Sequence, residues 1–239
     1  VQELANEYLT EQGITILNDV TLNSVSNDGN KPVITANGQN DTFDAVLYAT
    51  GRKPNTANIG LENTDITTNE RGAIVVNDTC ESSVPGVYAV GDVNGGPQFT
   101  YISLDDFRIV FGALTGNGQY TLKDRKNIPY TTFLTPPLAR VGLTEEDAIN
   151  KGYTVKTKEM LVATMPRAHV NDYLKGAFKI VVNAENDLIL GATLYSQGAE
   201  ELINLIKMAM DNNIPYTYFK NQIFTHPTMA ENLNDLCNF

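Results

Sequence analysis

The apolar positions of the chain open on a helical period. Leu4, Tyr8 and Leu9 recur on one face of residues 2–12, and Gly13 follows as a C-cap. The period then changes to that of strands. Ile14–Leu17 is a short buried-strand pattern, and Val20–Ser26 and Pro32–Ala36 read as two strands of a hairpin joined by the turn-rich Asn27–Asn30. Phe43–Ala49 is a near-continuous apolar run ending in Thr50-Gly51-Arg52. It predicts a buried parallel strand emerging into a glycine turn, where open α/β sheets bind ligands. Further strands are predicted at Ala73–Val76 and Val87–Val90, the second running into Gly91-Asp92. A helix over 103–114 places Leu104, Ile109, Phe111 and Leu114 as its apolar positions and ends at Gly116 and Gly118.

After about residue 125 the pattern changes. Strand-like segments fall at 132–141, 153–164, 176–183 and 187–195, with helices at 144–151 and 199–212 between and after them. The first of these helices opens on a capping box from Thr144 to Asp147. Neighbouring strands with helices set apart predict an antiparallel α+β unit. The helix at 199–212 is apolar over a wide arc (Leu202, Ile203, Leu205, Ile206, Met208, Ala209 and Met210), wider than the stripe a surface helix needs. It is either central to its unit or part of a subunit interface.

Composition narrows the classes. The chain has 239 residues, 42% hydrophobic and 19% charged, which excludes disorder and collagen. No run approaches the ~18 apolar residues of a membrane span, and the opening VQELANEYLT lacks the basic start and apolar core of a signal peptide. With 28 acidic against 17 basic residues, a net charge of -11 argues against a nucleic-acid partner. Cys80 and Cys237 lie far apart, neither a disulfide framework nor a zinc pattern, and point to a reducing, cytoplasmic compartment. The chain starts at Val1, without methionine, in a helical pattern, so a piece of a longer protein is the expectation.

Two motifs carry candidate chemistry. Ala49–Asn55 (ATGRKPN) follows an apolar run, and a glycine there lets the backbone approach a ligand closely. A ligand-free tight turn explains that motif equally well. Val87–Asp92 (VYAVGD) delivers a carboxylate behind a glycine, placed to accept hydrogen bonds from sugar or polyol hydroxyls. A surface Asp at a turn is the plain alternative. A third stretch, Phe224–Glu231 (FTHPTMAE), sets His226-Pro227-Thr228 before Glu231.

Taken together and in this order, the three stretches resemble the pyridine nucleotide-disulfide oxidoreductases, the flavoprotein family of glutathione reductase, dihydrolipoamide dehydrogenase and mercuric reductase. The resemblance covers the whole chain and implies the C-terminal half of such an enzyme. The implied fold is an α/β remnant of FAD- and NAD(P)-binding Rossmann-like domains followed by an α+β dimerisation domain with an antiparallel sheet. Residues 1–53 would end the NAD(P) domain, 54–125 would be the returning part of the FAD domain, and 126–239 the dimerisation domain. No G-x-G-x-x-G and no C-x-x-x-x-C pair occurs in the sequence, and the resemblance places both upstream of this chain.

The resemblance also implies cofactors, FAD and NAD(P)H, and roles. Gly51 matches the glycine beside the nicotinamide nucleotide, and Asp92 the acid that bonds the flavin's ribityl chain. Phe99, Thr100 and Tyr101 would bring backbone N–H groups to the flavin ring at a helix N-terminus, which favours negative charge on the reduced ring. His226 would exchange protons with thiols, with Glu231 orienting its ring and Pro227 at the first position of a helix over 227–236. The implied partners are a second copy of the chain and a small disulfide, metal-ion or oxidant substrate. No resident metal and no membrane is expected. His169 reads as a loop histidine rather than a substrate or metal ligand. Cys80 reads as a packing residue, and Cys237 lacks the neighbouring thiol that a C-terminal electron relay needs. Two other classes remain: a dimerisation module without catalysis, and a ferredoxin-reductase-type flavoprotein, which has no need of a thiol acid/base at its C-terminus. Residues 163–170 do not resemble the glutathione or lipoamide enzymes, which tilts the substrate toward mercuric ion or defence-related oxidants.

Overall fold

The opening helical period forms α1 (Gln2–Glu11) in the computed structural model, which describes residues 1–239. It buries Ala5, while Leu4, Tyr8 and Leu9 stay half-buried. The chain divides into two units: Val1–Asn18 with Lys126–Phe239, and Asp19–Arg125. In the first of these, α1 is held by the Tyr8 hydroxyl, which accepts a hydrogen bond from Gly176 N–H at 3.2 Å, and by an ion pair between Glu11 and Lys175.

Within 19–125, the predicted hairpin is present as β1 (Leu22–Asn27) and β2 (Pro32–Ala36). A third strand, β3 (Gln39–Thr42), extends it to an antiparallel sheet of order β1-β2-β3. Asp28 fixes the hairpin turn by accepting from the N–H groups of Asn30 at 3.1 Å and Lys31 at 2.9 Å. β3 is wholly polar (QNDT), so no alternation announces it.

Four predicted strands do not form. Ile14–Leu17 and Phe43–Ala49 are irregular, and Leu47 is 89% exposed rather than buried. Ala73–Val76 and Val87–Val90 contribute only single bridges, Thr68 to Ile74 and Glu81 to Tyr88. The physical reason is shared: a strand exists only through a ladder, and no segment of this chain pairs with these runs beyond a single bridge. The predicted helix is present and longer, as α2 (Thr100–Thr115), ending at Gly116 in the left-handed conformation. Its buried positions are Ile102, Asp106 and Ile109, whereas Leu104, Phe111 and Leu114 are exposed.

The other unit is the antiparallel α+β arrangement that the pattern predicts. Strands β4 (Tyr130–Thr132), β5 (Leu138–Gly142), β6 (Val155–Leu161), β7 (Ala177–Asn183) and β8 (Ile189–Tyr195) form a sheet of order β4-β5-β8-β7-β6, every pairing antiparallel. The run 132–141 is thus two strands, broken at Pro136-Pro137 because proline cannot donate to a ladder. Helix α3 (Glu145–Asn150) starts at the predicted box: Asp147 N–H donates to Thr144 Oγ1 at 2.9 Å, and Thr144 N–H to the Asp147 carboxylate at 3.2 Å. A short α4 (Pro166–Val170) follows β6 and was not signalled by any periodicity.

Helix α5 (Ala199–Asp211) packs on β5 and β8. Leu202, Ile203, Ile206 and Ala209 close the core against Ala139, Val141, Phe178, Ile180 and Leu194. Burying Ile203 or Ile206 contributes roughly 1.5–3 kcal/mol each. Most of the wide apolar arc is therefore used inside the unit, and Leu205 and Met208 are what it leaves exposed. Helices α6 (Tyr216–Asn221) and α7 (Asn232–Leu236) complete the chain. The last helix begins well after Pro227, not at it. Thr228 and Glu231 form a reciprocal capping box: Thr228 N–H donates to Glu231 Oε1 at 3.1 Å and Glu231 N–H to Thr228 Oγ1 at 3.3 Å. The box starts a turn at Thr228 rather than at Pro227, and i→i+3 bonds carry it into α7. No helix is long and apolar enough to cross a membrane.

Candidate active site

The two unit-19–125 motifs converge. Gly51 takes a positive φ of 108°, and the chain leaves it so that Arg52 Nη1 donates to Asp92 Oδ2 at 3.2 Å and to Gln98 C=O at 3.3 Å. Asp92 stands in a 3-10 turn, Gly91–Asn94, between two left-handed glycines, Gly91 and Gly95. Gly91 is needed there for its dihedral, a φ of 74°. A Cβ on it would lie 2.6 Å from Ser103 Oγ on α2. The Asp92 side chain is 46% exposed, so its carboxylate keeps acceptor capacity beyond Arg52.

Phe99 is the N-cap of α2, and its side chain makes no cap hydrogen bond. The Phe99 and Tyr101 rings stack with centroids 5.1 Å apart and planes within 9°. Gly51, Asp92, Phe99, Thr100 and Tyr101 therefore lie in one unit, near the N-terminus of α2 and an accessible carboxylate. One residue of this region was not singled out in the sequence: Asp106, fully buried on α2 and bonded to Gly91 N–H at 2.7 Å. Its signal was available as an acidic pair, Asp105-Asp106, inside an otherwise apolar helix.

In the other unit, His226 Nδ1 and Glu231 Oε2 are 2.8 Å apart. With Glu231 ionised, Nδ1 carries the proton and Nε2 is left as the acceptor, without a partner in the chain. The imidazole is 69% exposed and the carboxylate largely covered. The His226 hydrogen bond, followed by the Thr228 N–H, holds Glu231 below the usual carboxylate range against the opposing effect of burial. The arrangement is that of a proton carrier whose tautomer and ring angle are set by a fixed carboxylate.

The other candidates are engaged elsewhere. His169 lies in α4, with Nε2 2.8 Å from Ala163 C=O. Both thiols are buried: burial, then the nearby Asp106 charge, pushes Cys80 up to about 11, and burial pushes Cys237 up to about 12. Lys158 Nζ holds the tail around Cys237 by donating to Asp235 C=O at 2.7 Å and Asn238 C=O at 2.6 Å. No cluster of three or more His, Cys, Asp or Glu side chains is placed to hold a metal ion.

Residues 1–106 match the pyridine nucleotide-disulphide oxidoreductase family model, and residues 128–237 match that family's dimerisation domain. The chain belongs to the class I pyridine nucleotide-disulfide oxidoreductases. Among its relatives, the probable pyridine nucleotide-disulfide oxidoreductase RclA of Escherichia coli is 44% identical over 95% of this chain and 52% of its own length. A mercuric reductase of Staphylococcus aureus is 36% identical over 98% of this chain and 43% of its own. The solved Cu(II) complex of the HOCl-induced flavoprotein disulfide reductase RclA of E. coli superposes with a TM-score of 0.94 at 42% identity, over 98% of this chain and 53% of that one. The chain spans about half the length of these relatives.

Proposed function

We propose that this chain supplies part of the flavin site, the self-association surface and the His-Glu acid/base pair of an FAD-dependent enzyme that passes electrons from NAD(P)H to a disulfide, metal-ion or oxidant substrate. The observation that carries it is the His226–Glu231 pair at 2.8 Å with Nε2 free, on a dimerisation-domain match. The residues present fit a flavin. A half-exposed carboxylate, Asp92, suits the hydroxyls of a polyol chain, and the positive end of the α2 dipole suits an electron-rich ring.

When bound, the flavin supplies the two-electron step between nicotinamide and thiol. The rest falls to the chain's own residues. Gly51 keeps the backbone open beside the nucleotide, and Asp92 accepts from the polyol. Phe99, Thr100 and Tyr101 line the ring side. His226 Nε2 takes a proton from a thiol and returns it, while Glu231 holds Nδ1. In this reading, as the family resemblance implies, His226 serves the thiols and flavin of the second subunit, and its exposure fits a partner supplied from outside its own chain. Residues 1–53 and 54–125 would belong to the NAD(P) and FAD domains and 126–239 to the dimerisation domain; the separate matches over 1–106 and 128–237 support a seam near residue 126.

Similarity to RclA and to mercuric reductases favours an oxidant or a soft metal ion over glutathione or lipoamide; a cytoplasmic setting belongs to this reading through the two buried, unpaired cysteines. The testing experiment uses the flavin-loaded protein that carries this chain. Mixed dimers of a His226→Ala subunit with a subunit lacking its redox thiols should recover activity; no recovery rejects the cross-subunit role of His226.

A further inference from the structure

One buried carboxylate binds the Asp92 turn at both of its ends. Asp106, on α2 and fully buried, accepts from Gly91 N–H at 2.7 Å and from Asn94 Nδ2 at 2.9 Å through the same oxygen, Oδ2. Gly91 and Asn94 are the first and last residues of the 3-10 turn that carries Asp92. The other oxygen, Oδ1, is paired with Arg125 Nη2, and Arg125 Nε donates to Asp105 at 2.7 Å. Asn94 also reaches back to Ala89 C=O at 3.3 Å, so the turn is tied to the segment leading into it.

We propose that Asp106, neutralised by Arg125, is a positioning residue for the flavin: it fixes the Gly91–Asn94 turn so that Asp92 meets the polyol hydroxyls. The proposal rests on the reading of Asp92 as a flavin ligand. Stability alone does not explain the arrangement, because an apolar pair of similar volume holds a core together as well as a buried ion pair does. An apolar pair cannot accept from Gly91 N–H, which would then be buried without a partner, and the Asn94 amide would keep only its longer bond to Ala89 C=O. The network is specific to the turn, not to the unit at large. Helix α2 offers no other buried polar side chain, and its two apolar buried positions, Ile102 and Ile109, carry the ordinary packing.

The test is a double-mutant cycle in the flavin-loaded protein, read as FAD affinity by fluorescence titration, together with the visible spectrum of bound FAD and the melting temperature of the FAD-free form. Asp92→Ala should weaken FAD binding. Asp106→Asn should weaken it on the order of tenfold, as losing charge-assisted bonds does, and should alter the flavin spectrum. The double variant should bind no more weakly than Asp92→Ala alone. An equal factor for Asp106→Asn with and without Asp92 means that it acts on the whole unit and overturns the proposal, as does unchanged affinity for Asp106→Asn. Unchanged affinity for Asp92→Ala is a different result: it removes the flavin role of Asp92, and the proposal falls with it. If Asp106→Asn does not fold, Arg125→Lys carries the same cycle. It keeps the charge but cannot fork to both Asp105 and Asp106, so the Asp106 carboxylate loses its anchor. Weaker FAD binding that disappears in the Asp92→Ala background supports the proposal, and unchanged affinity overturns it.

Discussion

Arg52 and Asp92 meet at 3.2 Å, which joins the glycine turn after residue 49 to the Gly91–Asn94 turn inside one unit. Their side chains are 64% and 46% exposed, so the pair itself contributes at most about 1 kcal/mol to stability. Its value is placement. The guanidinium takes one oxygen of a carboxylate whose other oxygen stays available to a ligand.

Replacing Asp92 by Ala in the flavin-loaded protein should weaken FAD binding by roughly 1.5–3 kcal/mol, the range for a hydrogen bond to a charged group. Arg52→Met should cost less, since the pair is solvent-exposed. Flavin titration of both variants decides; equal affinity for Asp92→Ala and the parent rejects the role.

His226→Ala should lower turnover on the order of 10²–10⁴-fold and leave flavin content and self-association intact. Glu231→Gln should cost less, because it loosens the ring without removing the proton carrier. Steady-state rates beside size-exclusion profiles check this, and a variant that loses flavin or its oligomeric state speaks against a purely acid/base role.

Glu231 also has a signature in acid. Its carboxyl titrates below the usual range when folded, chiefly through the His226 hydrogen bond. Stability from such a group is complete above the unfolded value, near ~4.3, and is lost as pH falls through the lower folded value. Glu231→Gln should therefore flatten the acid limb of stability against pH below that point and leave the neutral region's slope unchanged. Denaturant melts across the acid range measure it.

Gly191→Ala should destabilise residues 126–239 by at least about 1–3 kcal/mol, the usual cost of overpacking. Gly191 sits opposite Gly142 in the β5–β8 ladder, and a Cβ there would lie 2.6 Å from Leu143 N and closer still to Leu143 C=O. These are backbone atoms and cannot swing aside. Thermal denaturation tests this, and a parent-like melting temperature would show that the ladder relaxes.

Elements whose stabilising contacts are local were legible in the sequence. The Thr144–Asp147 box, the Asn27–Asn30 hairpin turn and the left-handed Gly116 each carry their reason within a few residues. Phe43–Ala49 failed because an apolar run states only that a strand would suit it, and the ladder partner must come from elsewhere. The inward face of α2 failed for a different reason. Hydrophobicity assigned Phe111 and Leu114 to the core, yet the buried place belongs to Asp106, whose partners Gly91, Asn94 and Arg125 are distant in sequence. The His226–Glu231 contact was legible only through the family resemblance. That Glu231 lies just before α7, held by Thr228, was not, because side-chain bonds to the backbone leave no periodicity.

The two cysteines have a use that their chemistry does not suggest. Cys80 lies in the 19–125 unit and Cys237 in the other, both fully covered and both protonated at neutral pH. A thiol in that state reacts with an alkylating reagent only while its surroundings are open. The chain therefore carries one internal clock per unit. Timed alkylation followed by peptide mass analysis reads the opening rate of each unit separately, without any introduced label. Because Lys158 pins the carbonyls on either side of Cys237, removing that lysine should speed the second clock and leave the first running at its own pace.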